Sequence, residues 1–135
     1  MIKKQHETIE ALSVSLIPLS EDIAVLPLIG NFDPHRVSNV RQNLTEGLHS
    51  RFHKVVILDI TGIPSIDEQA VEGLVKIAKA ARLMGAQVIM TGIQPDMAIE
   101  MTELGLTLDG ISTENSLQSG IEAGMKIVNT ISKNY

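Results

Sequence analysis

The sequence predicts an α/β domain: a mixed, mostly parallel sheet flanked by helices. Three observations carry that expectation. Runs rich in β-branched residues, such as Val55-Val56-Ile57-Leu58, alternate with longer segments whose apolar residues recur every three or four positions. The strand-like runs are continuously apolar, as strands covered on both faces are. Glycine, proline and aspartate cluster between the segments, where turns and helix caps are needed. At 135 residues, 44 % of them hydrophobic, the chain is long and apolar enough for one core.

The elements follow in order. Lys3 to Leu12 carries the i,i+4 pair Lys3 and Glu7 but few apolar positions. Residues 1–11 are therefore expected to be the tail of a linker helix or a disordered N-terminus, and residues 12–135 the domain. Leu12-Ser13-Val14-Ser15-Leu16 alternates as a half-wet strand, ended by Pro18. Ile23-Ala24-Val25-Leu26 is a second strand, ending near Pro27, and the turn-like Ser20-Glu21-Asp22 makes the two a hairpin. Asp33 is placed to cap a helix with Pro34 at its first position. Val37, Val40, Leu44, Leu48 and Phe52 form that helix's buried stripe.

After the Val55–Asp59 strand, a loop at Thr61-Gly62-Ile63-Pro64-Ser65 leads to a helix from Asp67 to Leu83, capped by Gly85. Ala86 to Thr91 is the next strand. Pro95 starts a short helix with Met97, Ala98, Met101 and Leu104, stopped by Gly105. Ile111 anchors a very short strand. A last helix from about Asn115 turns Leu117, Ile121, Met125 and Val128 inward.

Composition excludes several function classes. Aromatic residues are 2 % of the chain, which leaves no base-stacking platform. A net charge of −5 disfavours non-specific binding to nucleic acid or anionic membranes. With no cysteine there is no disulfide, thiolate metal site or cysteine nucleophile, and a reducing compartment fits. No apolar run is long enough to cross a bilayer, and the polar Met1–Glu10 is not a secretory signal. The default is a soluble cytoplasmic domain.

No phosphate-binding glycine loop, dinucleotide fingerprint or nucleophile elbow is present. His49 and His53 stand i,i+4 and could share a helix face as metal ligands, but no third ligand is evident and a solvated helix end is the plainer reading. Asp33, Asp59 and Asp67 lie near strand ends, where open α/β sheets place their sites. Together they could hold a divalent cation or serve acid–base chemistry. Equally, Asp33 and Asp67 could be helix caps, and Asp59 could bond the Thr61-Gly62 turn.

The stretch Val55-Val56-Ile57-Leu58-Asp59-Ile60-Thr61-Gly62-Ile63-Pro64-Ser65-Ile66-Asp67 resembles the STAS domain, the fold of bacterial anti-sigma factor antagonists. Ala80-Ala81-Arg82-Leu83-Met84-Gly85-Ala86 and Thr91-Gly92-Ile93-Gln94-Pro95-Asp96-Met97-Ala98 narrow the resemblance. With Ile17-Pro18-Leu19 and Leu26-Pro27-Leu28-Ile29-Gly30, they look like the RsbR class of stressosome proteins, from about residue 10 to 125.

The resemblance implies a non-enzymatic scaffold without cofactor or metal. Such domains join sibling STAS subunits in a large cytoplasmic core, dimerise readily, and hold a switch serine/threonine kinase whose release frees a stress sigma factor. It also implies two phosphoacceptor positions, which in this chain are Glu68 and Glu100. A glutamate carries one charge where a phosphate carries more, and it cannot accept a phosphoryl group as a hydroxyl does. Either these residues set permanent negative charge at helix N-termini, as a partial mimic of the phosphorylated state, or they are ordinary helix residues. Ser65, Ser112, Thr113 and Ser116 are possible substitute acceptors, each more simply a turn or cap residue. The partner-binding surface implied is Asn31, Asp33, Gly62, Ser65, Asp67, Glu68, Asp96 and Glu100. Family members usually carry a sensory domain upstream, so the chain is either a piece cut at that linker or a stand-alone protein. Two other classes stay open: a nucleotide-binding STAS module using the strand-end crevice, and a carboxylate hydrolase using Asp33, Asp59 and Asp67.

Overall fold

The computed structural model describes residues 16–63 and 68–133. Strand β1 (Ile17–Pro18) pairs antiparallel with β2 (Ile23–Ile29). Between them Ser20 Oγ accepts from the backbone N–H groups of Asp22 and Ile23, at 3.2 and 3.1 Å, which closes the expected hairpin. Of the alternating segment at residues 12–16, only Leu16 lies within the described residues, packed against the core. Pro18 is the last residue of β1, where the strand was expected to end. The edge of a sheet is where a residue without an N–H is tolerated.

Pro27 lies inside a strand rather than ending one. β2 runs on to Ile29, and its register with β3 shifts between Pro27 and Ile29, the kind of irregularity at which proline is found. Helix α1 (Pro34–Ser50) follows, capped as expected: Asp33 Oδ1 accepts from the Arg36 N–H at 2.9 Å and Pro34 opens the first turn. Its buried stripe is Val40, Leu44 and Leu48, with Val37 half-buried. Phe52 is not part of that stripe. The helix ends at Ser50, and Phe52 stands 48 % exposed in the connection to β3.

β3 (Val55–Gly62), α2 (Glu68–Leu83), β4 (Gln87–Thr91), α3 (Pro95–Glu103), β5 (Ile111–Glu114) and α4 (Leu117–Lys133) complete the chain. Gly85 ends α2 at φ +103°, a backbone conformation that a side chain strains. The sheet order is β1-β2-β3-β4-β5, and β2 to β5 are parallel. Each crossover therefore steps one strand in the same direction. Right-handed crossovers taken in one direction put their helices on one face. Accordingly Leu44 and Leu48 of α1, Leu74 and Ile77 of α2, and Met97 and Met101 of α3 share one core with Leu26, Leu58 and Met90 of the sheet.

The opposite face is covered by α4. Ile23, Val25, Val55, Ile57 and Ile89 form a second, smaller core against Leu117, Ile121, Ile127 and Val128. Met125 was expected to face in but is 54 % exposed. Gly120 and Gly124 take the inward positions instead. A Cβ on Gly120 would fall on Thr91 Cγ2, and one on Gly124 would stand 3.3 Å from Val55 Cγ1. The helix backbone comes close to β3 and β4 at these two glycines, and the larger side chains of Leu117, Ile121, Ile127 and Val128 pack around them. Among the described residues, no helix is long and apolar enough to cross a membrane.

Candidate functional site

Because β2 to β5 are parallel and each is followed by a short loop and a helix, four helix N-termini gather at the carboxyl edge of the sheet. Most of the expected partner-binding residues stand there. Asn31 is exposed in the loop after β2, Asp33 caps α1, and Gly62 ends β3. The loops are tied together: the Gly30 N–H donates to Gly62 O at 3.0 Å. Asp96 is exposed in the first turn of α3, and Glu68 is exposed in the first turn of α2. Negative charge is stabilised at both places by the helix dipole. Ser65 and Asp67 lie outside the described residues.

Glu100 does not stand at a helix N-terminus, contrary to the expectation. It is the sixth residue of α3, half-buried, and Asp96 is the acid of the first turn. The helix begins at Pro95, which puts Glu100 more than one turn in, beyond the reach of the terminal dipole.

Two contacts at this edge, those of Arg36 and the Thr91 bond to Asp59, were not singled out from the sequence. Arg36 folds back from α1 across the loop, and its Nη1 donates to Ile29 O and to Asn31 O, the latter at 3.0 Å. It brings a cation among the acids and fixes the Asn31 turn. No sequence pattern marks an arginine that pairs with carbonyls of its own loop. The other feature is a hydroxyl pair on Asp59. Its Oδ1 accepts from Thr61 Oγ1 and Thr91 Oγ1, each at 2.8 Å. The proposed bond from Asp59 to the Thr61-Gly62 turn is thus present, with a second one to β4. Asp59 is committed to joining strand ends, and Asp33 to capping, so a free catalytic pair is not formed by these two.

Ser116 is a cap, as expected: its Oγ accepts from the Ser119 N–H at 3.1 Å. Ser112 and Thr113 are neither turn nor cap residues but exposed members of β5, paired with Ile89 and Met90.

The histidine pair is overturned. His49 is on α1, but the helix stops at Ser50 and His53 lies beyond it, so the two share no helix face. Nor is His53 solvated. It is 3 % exposed, with neither ring nitrogen hydrogen-bonded among the described residues. Burial, then the charge of Arg51, pushes its pKa below the usual 6.5. No group of three or more metal-ligating side chains occurs among the described residues.

The STAS domain model matches residues 16–120, most of the chain and all five strands. The chain belongs to the STAS domain family. Within it, the chain is similar to the RsbT co-antagonist protein RsbRA of Bacillus subtilis, with 34 % identity over 126 residues, 93 % of this chain and 46 % of that protein. The chain spans about half the length of the curated relatives it matches. A solved structure of a serine-to-glutamate variant of RsbS from Moorella thermoacetica superposes with a TM-score of 0.75 at 28 % identity, covering 86 % of this chain and 97 % of that one. A chain from the molecular architecture of the stressosome matches with a TM-score of 0.68 at 26 % identity, covering 83 % and 97 %. This STAS domain is therefore RsbR-like in sequence and RsbS-like in fold.

Proposed function

We propose that this STAS domain is a non-enzymatic scaffold of a bacterial stressosome. It binds sibling STAS subunits and a switch serine/threonine kinase, and so takes part in control of a general stress sigma factor. The observation that carries the reading is the likeness to RsbRA over 93 % of the chain, joined to the likeness to a stressosome chain. The carboxyl edge of the sheet is the kinase-facing surface. Asn31, Asp33, Gly62, Glu68 and Asp96 present an exposed, mostly acidic rim there. Ser65 and Asp67, named with this surface by the family resemblance, lie outside the described residues.

Glu68 and Glu100 stand in place of the two phosphoacceptors. The domain is a partial, permanent mimic of the phosphorylated state and takes no phosphate at either position. Exposure of Glu68 in a first helical turn supports this at that position: its charge is held where a phosphate would be favoured and seen. Glu100 carries the same single charge but is half-buried and set back along α3, without the support of the helix N-terminus.

Co-elution tests the scaffold. The chain is mixed with an RsbS-type STAS protein and the switch kinase from the same organism, then passed over a sizing column. A high-mass peak containing the chain and its sibling is expected. Elution of every component at its own size overturns the reading.

A further inference from the structure

Helices α1, α2 and α3 lie side by side on one face of the sheet, and this face carries two matched features. The first is a groove of about 320 Å³ between α1 and α2. The helices approach closely where Val37 meets Gly73: a Cβ on Gly73 would stand 2.6 Å from Val37 Cγ1. Arg41 of α1 and Lys76 of α2 rim the groove from opposite sides, both exposed and with no ion-pair partner among the described residues. Glu72 lies on the same lining, so the groove carries a net charge of about one positive unit in a chain whose net charge is −5.

The second feature is a ridge on α3. Asp96, Glu100 and Glu103 recur at i, i+4 and i+7, which is one helix face. Beside them Ile99 is 57 % exposed, while Met97 and Met101 on the inward side are buried. A large apolar side chain flanked by three acids is the shape and charge that a cation-rimmed, partly apolar groove receives.

We propose that a second copy of this chain seats its α3 ridge in the α1–α2 groove. Arg41 and Lys76 meet the acids, and Ile99 approaches Val37 and Gly73. Ridge and groove lie on the same face of the sheet, so two copies placed face to face make the contact twice. This rests on the reading of the domain as a subunit that assembles with its own kind, and it names the surfaces used. The groove is distinct from the exposed Glu68 turn, whereas the ridge shares Asp96 and Glu100 with the kinase-facing surface, so a second copy and the kinase compete for it.

Charge exchange tests it. One variant reverses the groove, Arg41→Glu with Lys76→Glu, and the other reverses the ridge, Asp96→Lys with Glu103→Lys. All four side chains are exposed, so both variants are expected to fold, which circular dichroism checks. Sedimentation at low salt is expected to show association of the native chain, loss of it in each variant alone, and recovery when the two are mixed, because in a mixed pair the reversed groove meets the reversed ridge and the native groove meets the native ridge, each of opposite sign. A monomeric native chain, or association unchanged by either reversal, overturns the proposal. Such a result with sibling co-elution intact removes these surfaces alone. Loss of sibling co-elution by the native chain removes the scaffold reading instead.

Discussion

Thr91 Oγ1 donates to Asp59 Oδ1 at 2.8 Å, joining β4 to β3 at their carboxyl ends, where the two residues are direct register partners. Thr91 is fully buried and Asp59 half-buried, so this bond is made in a site that water only partly reaches. With the matching bond from Thr61, it holds the strand ends from which the candidate surface is built.

Thr91→Val keeps the shape and removes the donor. A hydrogen bond to a charged group in this setting is worth about 1–3 kcal/mol. The expected outcome in urea unfolding is a loss at the lower end of that range, since Thr61 still donates to the same oxygen. Asp59→Asn retains an acceptor oxygen and is expected to cost less. Equal stability of Thr91→Val and the native chain contradicts this account of the strand ends.

Two helical glycines are expected to respond in opposite directions to alanine. At Gly73 the new Cβ meets Val37 Cγ1 at 2.6 Å, so α1 and α2 must part, at a cost of about 1–3 kcal/mol. At Gly47 the nearest atom is Leu16 Cδ2 at 3.6 Å, an ordinary contact. There the helix propensity of alanine dominates, and a gain of about 0.5–1 kcal/mol is expected. Denaturation midpoints of the two variants should move to either side of the native value.

Acid should destabilise the fold through His53. Its folded pKa lies below 6.5 because burial and the nearby Arg51 disfavour the imidazolium, with Asp22 acting weakly the other way. The unfolded chain thus takes up this proton first as pH falls. The stability His53 confers is fully present above about 6.5 and is lost as pH drops below it. Melting temperature measured between pH 7.5 and 5 should fall less steeply in His53→Gln than in the native chain. Parallel curves for the two would show that the histidine does not titrate in this way.

Much of the fold was legible because its signals are local. Asp33 with Pro34, the Val40-Leu44-Leu48 stripe and Gly85 each act within a turn or two of themselves, and each stands where the sequence puts it. The misplaced residues depend on packing between distant segments. Phe52 continues the helical spacing of α1, but the chain must leave the helix at Ser50 to reach β3, and the ring is left outside. Met125 fits an apolar period, yet the inward face of α4 is filled by Gly120 and Gly124 with Leu117, Ile121, Ile127 and Val128 around them, and Met125 is left outside. Burial of His53 follows from the same connection that exposes Phe52. Of the candidate surface, Asp33 was readable as a helix cap and Glu68 and Asp96 were named only through the family resemblance, whereas the Arg36 clasp and the Thr91 bond join residues whose proximity only the fold creates.

The proposed role gives this chain a kinase-facing surface in which Glu68 and Glu100 replace the phosphoacceptors. It is tested most directly by exposing the native chain and a Glu68→Thr, Glu100→Thr double variant to the switch kinase, with a phosphorylatable sibling STAS protein as the positive control, and reading intact mass. No added phosphate on the native chain, with phosphate on the double variant, is the predicted result. Phosphate on the native chain, or none on the variant while the sibling is modified, contradicts it.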